Sequence, residues 1–173
     1  YFPPDPEFVS WLQENTEGVI NGNCLDIDAA ADYVAEFFIE STNIIDLDGI
    51  HLFTNLSYLD ISFNQALDSI GNLSSLQNLS GLFITSNSNL ISIGNLSGLS
   101  NLTALFIYQN PLLTAVEDIS NNNVLTDILI DANGLTSLPD FSGLTNLQYL
   151  TLYDNVSLTS LPDFTDLTNL SSL

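Results

Sequence analysis

The stretch LTALFIYQN at residues 102–110 decides the fold, because its pattern L-x-x-[LI]-x-[LI]-x-x-N recurs along most of the chain. Further copies start at residues 56, 79, 125 and 147, and a shorter one starts at 170, so successive copies are 22 or 23 residues apart. Apolar residues alternate with others in the middle of each copy, which predicts a short strand. One such strand cannot bury its apolar side alone. Successive strands are therefore expected to lie side by side in a parallel sheet over a continuous core.

The pattern and its spacing resemble the leucine-rich repeat family, whose repeats are about 20–29 residues long. The resemblance covers residues 34–173 and implies an α/β fold of about six repeats, the last one truncated. It implies a right-handed leucine-rich repeat solenoid with a parallel β-sheet on the concave face and short turns or helical turns on the convex face. The asparagine of each copy is expected to bond to backbone groups where the chain leaves the sheet, and so to build an internal ladder. Strands are predicted near 59–61, 82–84, 105–107, 128–130 and 150–152, with an earlier, irregular one near 37–39.

Residues 1–33 do not fit the repeat and are expected to form a helical N-terminal cap over the first open end of the solenoid. Asp5 followed by Pro6 predicts an N-cap and the first helical position, and Gly18 is expected to stop this helix. Its apolar stripe consists of Phe8, Trp11 and Leu12.

The second half of the cap shows a different set of local signals. The pair Asn21-Gly22 predicts a tight turn, and Leu25 and Ile27 predict a short strand beside it. Residues 28–33 are expected to form one helical turn. The Pro-Asp-Pro-x-Phe opening and the Asn-Gly-Asn-Cys-Leu stretch resemble the N-terminal caps of secreted bacterial, internalin-like leucine-rich repeat proteins, which implies a secreted or cell-surface location.

The charge balance is extreme, with 21 acidic residues, no Lys, no Arg and one His, for a net charge of -21. Nucleic acids and anionic membranes both require cationic side chains on a partner, so neither is expected to bind. No apolar run approaches the length of about 18 residues that a membrane span needs. Crowded carboxylates are expected to titrate at raised pH, so that the folded state gains stability as the pH falls from 7 towards about 4–5.

Few residues of the chain are suited to chemistry, and an enzyme is not expected. Cys24 stands alone and is interpreted as a small buried structural residue, while the single His51 cannot form a triad or a multi-histidine metal site. No cofactor is predicted. Weak Ca²⁺ binding by neighbouring acids is an open alternative to simple solvation, since hard cations prefer carboxylate oxygens. The acidic pairs concerned are Asp26/Asp28, Asp46/Asp48 and Glu117/Asp118.

Seven Asn-x-Ser/Thr sequons occur, among them those at Asn55, Asn72, Asn95 and Asn101. Most coincide with the Asn-Leu-Ser/Thr stretches that the repeat itself favours. They are therefore interpreted as part of the repeat and not as glycosylation sites.

The concave face is the predicted ligand-binding surface, because residues beside the inward leucines point out of the core. Several aromatic side chains recur there one repeat apart, and soluble monomers rarely leave aligned aromatics exposed without use. Stacking between strands is the competing explanation for the same aromatics. The predicted ligand-binding residues are Tyr58, Asp60, Phe83, Thr85, Phe106, Tyr108, Asp131, Tyr149 and Tyr153.

Two function classes follow from this surface. The first is a recognition module of a secreted or surface-displayed bacterial protein, which binds a protein or carbohydrate ligand through the concave aromatic and acidic face. The alternative is a structural or spacer solenoid within a larger cell-surface protein, without a ligand of its own. The final copy, residues 170–173, brings no asparagine, so self-association through an uncapped C-terminal edge is also expected.

Overall fold

A computed structural model describes residues 1–3 and 5–173 of the chain. Two short helices and a hairpin come first, and strands separated by turns follow. The elements are α1 Pro6–Asn15, β1 Ile20–Asn21, β2 Cys24–Leu25, α2 Ile27–Asp32, β3 Glu36–Glu40, a 3-10 helix Ile50–Leu52, β4 Tyr58–Ser62, β5 Ser69–Ile70, β6 Gly81–Thr85, β7 Ser92–Ile93, β8 Ala104–Tyr108, β9 Asp127–Asp131 and β10 Tyr149–Thr151.

The main sheet has six parallel strands in the spatial order β3, β4, β6, β8, β9 and β10. Neighbouring strands pair one repeat apart, so that Phe83 of β6 lies opposite Phe106 of β8 and Leu129 of β9 follows. All five repeat strands predicted from the pattern are confirmed. The first strand, expected to be irregular, is instead a full five-residue strand in register with β4.

The core consists of the apolar residues of the repeat, stacked in columns. Within each five-residue strand of the main sheet the two inward residues are buried, as Leu105 and Ile107 are in β8, while the residue between them is half-buried or exposed. The shorter β10 buries Leu150 alone. Leucines of the return segments, such as Leu90 and Leu96, complete the same cluster. Full burial of a leucine contributes roughly 1.5–3 kcal/mol, so a column that continues through each repeat is the main stabilising feature of the solenoid.

The asparagine ladder predicted from the pattern is present and buried. The Oδ1 atom of Asn110 accepts the backbone N–H of Asn87 at 3.1 Å, and its Nδ2 donates to the carbonyl of Ile84 at 2.9 Å. The same pair of bonds recurs at each level, and the rung before Asn64 is Thr42, whose N–H donates to the Asn64 side chain. The ladder thereby satisfies backbone groups that the sheet leaves unpaired. Its members are Asn64, Asn87, Asn110, Asn133 and Asn155.

The residue before each ladder position adopts the left-handed backbone conformation, with φ between 50° and 60°. This turn redirects the chain off the sheet and aims the following side chain into the core. None of the six residues is β-branched, as expected because β-branched side chains are strained at positive φ. They are Ser41, Phe63, Ser86, Gln109, Ala132 and Asp154.

A second row of bonds runs just before the strands and accounts for several sequons. The amide of Asn101 donates to the backbone carbonyl of Gln77 at 2.8 Å. The hydroxyl of Thr103 donates to the backbone carbonyl of Ser80 at 2.9 Å. Asn78 and Ser80 repeat this arrangement one level earlier. The stretches that begin at Asn55, Asn78, Asn101 and Asn169 tie their repeats to the ones before them. The side chains of Asn72 and Asn95 instead accept the local N–H groups of Ser74 and Ser97.

The return segments contain turns and two short parallel strands, β5 and β7, with the 3-10 helix in the first of them. Short turns or single helical turns were predicted on this side. Successive return segments pass very close together. A Cβ atom added to Gly98 would lie 1.9 Å from the carbonyl oxygen of Ser74, so only glycine fits there.

The N-terminal residues pack against the first repeats. Asp5 caps α1, its Oδ1 accepting the N–H of Glu7 at 2.8 Å, and its Oδ2 accepts the N–H groups of Ile45 and Asp46 at 2.5 and 3.0 Å. One carboxylate thus fixes the helix start and joins it to the loop after β3. Phe8 and Leu12 are fully buried, as the predicted stripe requires.

Three details of the cap differ from the predictions. Helix α1 ends at Asn15 and not near Gly18, because Thr16 leaves the helical conformation while its N–H and hydroxyl both bond to the carbonyl of Leu12. Ile27 begins α2 instead of extending a strand, since Asp26 caps that helix. Cys24 is exposed and not buried, because the alternation of β2 turns Leu25 inward and Cys24 outward.

Candidate functional site

The outer sheet face consists of the strand side chains that point away from the core. Alternation along each strand places these residues between the buried ones. Its half-buried or exposed members in the six strands are Glu36, Phe38, Glu40, Tyr58, Asp60, Phe83, Ala104, Phe106, Tyr108, Asp127, Leu129, Asp131, Tyr149 and Thr151. This is the surface predicted to be concave.

Four aromatic rings form a continuous stack along this face. The ring centroids of Phe38 and Tyr58 lie 5.3 Å apart, those of Tyr58 and Phe83 4.9 Å, and those of Phe83 and Phe106 4.7 Å. These distances fall in the range of favourable aromatic pairs. Leu129 is in register beside Phe106 and extends the apolar column onto β9. We call these four rings the aromatic stack.

Gly81 allows the stack to be continuous. Asp60 occupies the column position between Phe38 and Phe83, which would interrupt a row of rings. Tyr58, two residues earlier, closes the gap because its ring leans over Gly81, where an added Cβ atom would lie 2.9 Å from the ring. The sequence predicted the aromatics but not this displacement, which depends on the neighbouring strand.

The end of the aromatic stack opens into a hollow between β8, β9 and the segment after β10. It has a volume of about 460 Å³ and is lined by Phe106, Tyr108, Leu129, Asp131, Tyr153 and Asp154, among others. Tyr153 is 70% exposed, so most of its ring is available for contact. Four of the predicted site residues, Phe106, Tyr108, Asp131 and Tyr153, therefore meet at one place.

Asp131 is the carboxylate of this hollow. One of its oxygens accepts the backbone N–H of Tyr153 at 2.7 Å, and its other oxygen accepts no hydrogen bond from the described residues. Burial raises the pKa of Asp131, the N–H of Tyr153 opposes that shift, and the charge of Asp154 adds to it. The hollow therefore holds a partly desolvated negative charge with a free oxygen.

Acids lie on both sides of the aromatic middle of the face. Glu36, Glu40 and Asp60 stand on β3 and β4, while Asp127 and Asp131 stand on β9. The intervening strands β6 and β8 carry no charged residue. Burial raises the pKa of Tyr58, and the negative charges of Asp60, Glu36 and Glu40 add to that rise.

Two predicted site residues differ in accessibility from the others. Thr85 is buried, and its hydroxyl is 2.8 Å from that of Ser62, which is also buried. It supports the face from below and offers no surface to a ligand. Tyr149 is half exposed on the last strand, β10, opposite Asp127.

The acidic pairs considered for Ca²⁺ have other roles. Asp26 caps α2, and the side chain of Asp46 accepts the N–H of Asp48 while that of Asp118 accepts the N–H of Ser120. Among the described residues, no three His, Cys, Asp or Glu side chains converge into a group that could hold a metal ion. These carboxylates thus serve local turns and caps.

His51 and Tyr1 form a separate cluster away from the sheet face. The Tyr1 hydroxyl donates to Asp48, which raises the pKa of Tyr1 to about 12, and His51 Nδ1 lies 3.7 Å from the same carboxylate. The α-amino group of Tyr1 donates to the carbonyl of Leu25 at 2.8 Å. This cluster joins the first residue to the first return segment.

The repeat of 22 or 23 residues, the parallel sheet and the asparagine ladder define a leucine-rich repeat solenoid. No family model matches the chain, and no curated protein matches it. Among solved structures it is similar to the functional domain of InlJ from Listeria monocytogenes, which includes a cysteine ladder. The identity is 24% and the TM-score 0.52, over 71% of this chain and 32% of that one. Its fold is therefore that of an internalin-like leucine-rich repeat protein.

A second similar structure is the internalin inlF, also from Listeria monocytogenes, at 18% identity and a TM-score of 0.49, over 98% of this chain and 68% of that one. The chain spans about a third of the length of the InlJ domain. It contains a single cysteine, so its internal ladder is built of asparagine and not of cysteine. Within the described residues, no helix is both long and apolar enough to cross a bilayer.

Proposed function

We propose that the chain is a non-enzymatic recognition module of a secreted or cell-surface bacterial protein, which binds a protein or carbohydrate ligand on its outer sheet face. The observation that carries this proposal is the aromatic stack, a row of four rings on a face that no other element of the described chain covers. The similarity to internalins in fold supports the class of module.

The exposure of the rings favours binding over internal stacking. If stacking between strands were the whole explanation, these rings would contact one another and be largely covered. Phe38 is instead 51% exposed, and Tyr153 forms no aromatic pair among the described residues. Exposed aromatics gathered on one face are typical of interaction surfaces. The proposed contact residues are Tyr58, Asp60, Phe83, Phe106, Tyr108, Asp131, Tyr149 and Tyr153. Thr85 is left out because it is buried.

The test compares binding to peptide and oligosaccharide arrays by the wild-type chain and by a Phe106→Asp variant. Phe106 is half-buried at the centre of the face, and a carboxylate there would remove its ring contact with Phe83. Ile91→Asp is the matched control, since Ile91 is 57% exposed in a return segment and undergoes the same kind of change. Unchanged thermal unfolding of both variants confirms folding.

The proposal predicts array signals that Phe106→Asp abolishes and Ile91→Asp retains. Signals that survive in the Phe106 variant would contradict it. An absence of any signal from the wild-type chain would favour the alternative, a structural or spacer solenoid in a larger protein.

Self-association is the second interaction that we propose, on the edge of β10. That strand pairs with β9 on one side. On the other side the described residues form a single β-bridge, between Tyr149 and Ser172. An apolar hollow beside it is lined by Leu152, Leu161, Phe164 and Leu173 together with Thr151 and Tyr153. Light scattering on the 173-residue chain should detect association that Leu161→Lys suppresses, and a monomer at all concentrations would contradict this.

A further inference from the structure

The outer sheet face has a charge pattern that the proposed function leaves unexplained. Its middle strands, β6 and β8, present aromatic and small side chains, while acids flank them on β3 and β4 at one end and on β9 at the other. We infer that the ligand is an extended polypeptide segment that lies across the strands, with an apolar middle and a basic residue at each end. This inference rests on the proposed function.

The spacing of the strands sets the length of that segment. Neighbouring strands lie about 4.8 Å apart, so three steps from β4 to β9 give about 14 Å and four steps from β3 give about 19 Å. An extended peptide advances about 3.3 Å per residue. Two basic residues about five positions apart, roughly 17 Å, therefore reach Asp60 or Glu36 at one end and Asp131 at the other.

The hollow at the β9 end fits a cationic side chain. Asp131 has one carboxylate oxygen free of described partners, and the rings of Tyr108, Tyr153 and Phe106 line the same space. A cation over an aromatic face gains about 0.5–2 kcal/mol, and a guanidinium also donates to carboxylates in a planar fork. Both interactions are available to one arginine here.

Charge complementarity favours a basic peptide over a neutral sugar. The chain contains no Lys or Arg, so no side-chain ammonium or guanidinium of its own compensates these carboxylates. Its single His51 lies beside Asp48, and its α-amino group is bonded to Leu25. A net charge of -21 also draws cationic partners from a distance. A neutral sugar could use the rings and donate hydroxyl groups to the carboxylates, but it would bring no positive charge to compensate them.

The experiment uses two capped hexapeptides of equal charge and composition. In Arg-Ser-Leu-Phe-Ser-Arg the arginines are five positions apart, and in Ser-Leu-Arg-Arg-Phe-Ser they are adjacent. Fluorescence anisotropy of labelled peptides measures both affinities at about 0.15 M salt, where remote charges are screened over roughly 8 Å. Because the charges match, nonspecific attraction contributes equally to both.

The spaced peptide should bind about tenfold more tightly than the adjacent one, as expected for one additional charged contact. Asp131→Asn and Phe106→Ala should each remove most of that difference. Glu117→Gln is the matched charge control, because Glu117 is exposed in a return segment, and it should leave the preference intact.

Equal affinity for the two peptides would overturn the inference, as would a preference that Asp131→Asn leaves unchanged. Binding of a neutral oligosaccharide that depends on Phe106 but not on Asp131 would also overturn it, while leaving the proposed function in place. The proposed function itself fails only if no array ligand depends on Phe106, so the two failures are distinguishable.

Discussion

At the scale of single residues, the ladder asparagines each hold two neighbouring repeats together. Asn110 is fully buried, accepts from the N–H of Asn87 and donates to the carbonyls of Ile84 and Tyr108. The main chain supplies one unpaired donor and one unpaired acceptor at each level, and an amide is a short side chain that satisfies both. Removal of a single amide therefore affects two repeats.

Asn110→Ala should lower the free energy of unfolding by roughly 2–4 kcal/mol, because it leaves a buried N–H and a buried carbonyl unpaired. Urea unfolding followed by circular dichroism measures the loss. Asn101→Ala is the control, since Asn101 is exposed and forms one bond, to Gln77. It should cost less than about 1 kcal/mol. Equal losses of stability in the two variants would show that a ladder asparagine contributes no more than an exposed one.

Asn122 is a buried polar residue at a position where the preceding repeat has Leu99. Its Nδ2 donates to the carbonyl of Leu96 at 3.1 Å, but its Oδ1 has no partner among the described residues. Asn122→Leu should raise the free energy of unfolding by about 1–2 kcal/mol, because it removes an unsatisfied acceptor and adds apolar burial.

The converse change, Leu99→Asn, serves as the matched control for Asn122. It should destabilise the chain by about 2 kcal/mol or more, since it introduces a buried amide and removes a leucine. Both free energies of unfolding come from the same urea titration. A loss of stability in Asn122→Leu would indicate that a water satisfies the amide or that the return segment cannot accept the added volume.

At the scale of elements, the strands were predictable because the spacing of the repeat fixes their positions even where local helix and strand propensities are ambiguous. The stretch around Phe37 contains alanines and acids that favour a helix, yet its register with the next repeat placed a strand there, and β3 is that strand. Asp5 as N-cap and the buried stripe of α1 were also evident. The end of α1 was not, because Thr16 provides a cap that no glycine signal marks.

The candidate site was less predictable than the strands. Which residues point outward follows from alternation, but the inclination of Tyr58 over Gly81 depends on an adjacent strand. The burial of Thr85 beneath the face depends on its contact with Ser62. The exposure of Cys24 follows from the register in which β1 pairs with β2. The Asn21-Gly22 pair predicted a turn there but not that register.

Asp5 joins two elements and should matter more than an ordinary helix cap. Its carboxylate accepts N–H groups from α1 and from the loop at Ile45 and Asp46. Asp5→Ala should lower the free energy of unfolding by about 2–3 kcal/mol, whereas Asp26→Ala, which removes only the cap of α2, should cost about 1 kcal/mol. Thermal unfolding of both variants makes the comparison, and equal costs would contradict the joining role.

At the scale of the whole molecule, stability depends on pH through those carboxylates whose pKa changes on folding. Burial raises the pKa of Asp131 above 3.8, so its folded state binds protons more readily than its unfolded state. The stability that protonation of Asp131 contributes is fully present below the pKa of the unfolded state. It is lost as the pH rises through the higher pKa of the folded state. Asp118 has the opposite effect, because hydrogen bonds from Ser120 lower its pKa. Its contribution to the free energy of unfolding is therefore lost as the pH falls.

Asp131→Asn should therefore raise the unfolding temperature at neutral pH and flatten its rise as the pH falls towards about 4. The amide oxygen can still accept the N–H of Tyr153, so the local geometry is kept. Asp118→Asn is the control and should lower the unfolding temperature at neutral pH. Thermal melts between about pH 3 and 7 test the pair, and a lower midpoint for Asp131→Asn at neutral pH would show that its charge is already compensated.

We propose that ligands bind to the outer sheet face and not to the cap or the return segments. Aromatic proton–carbon NMR spectra during titration with Arg-Ser-Leu-Phe-Ser-Arg test it most directly, because the chain carries reporters on each surface. Phe83, Phe106 and Tyr153 report on the face, while Trp11 lies in the cap and His51 in the first return segment. Binding to the face should shift the three face signals and leave Trp11 and His51 unchanged. Shifts at Trp11 or His51, with the face signals unmoved, would place the ligand elsewhere and overturn the proposal.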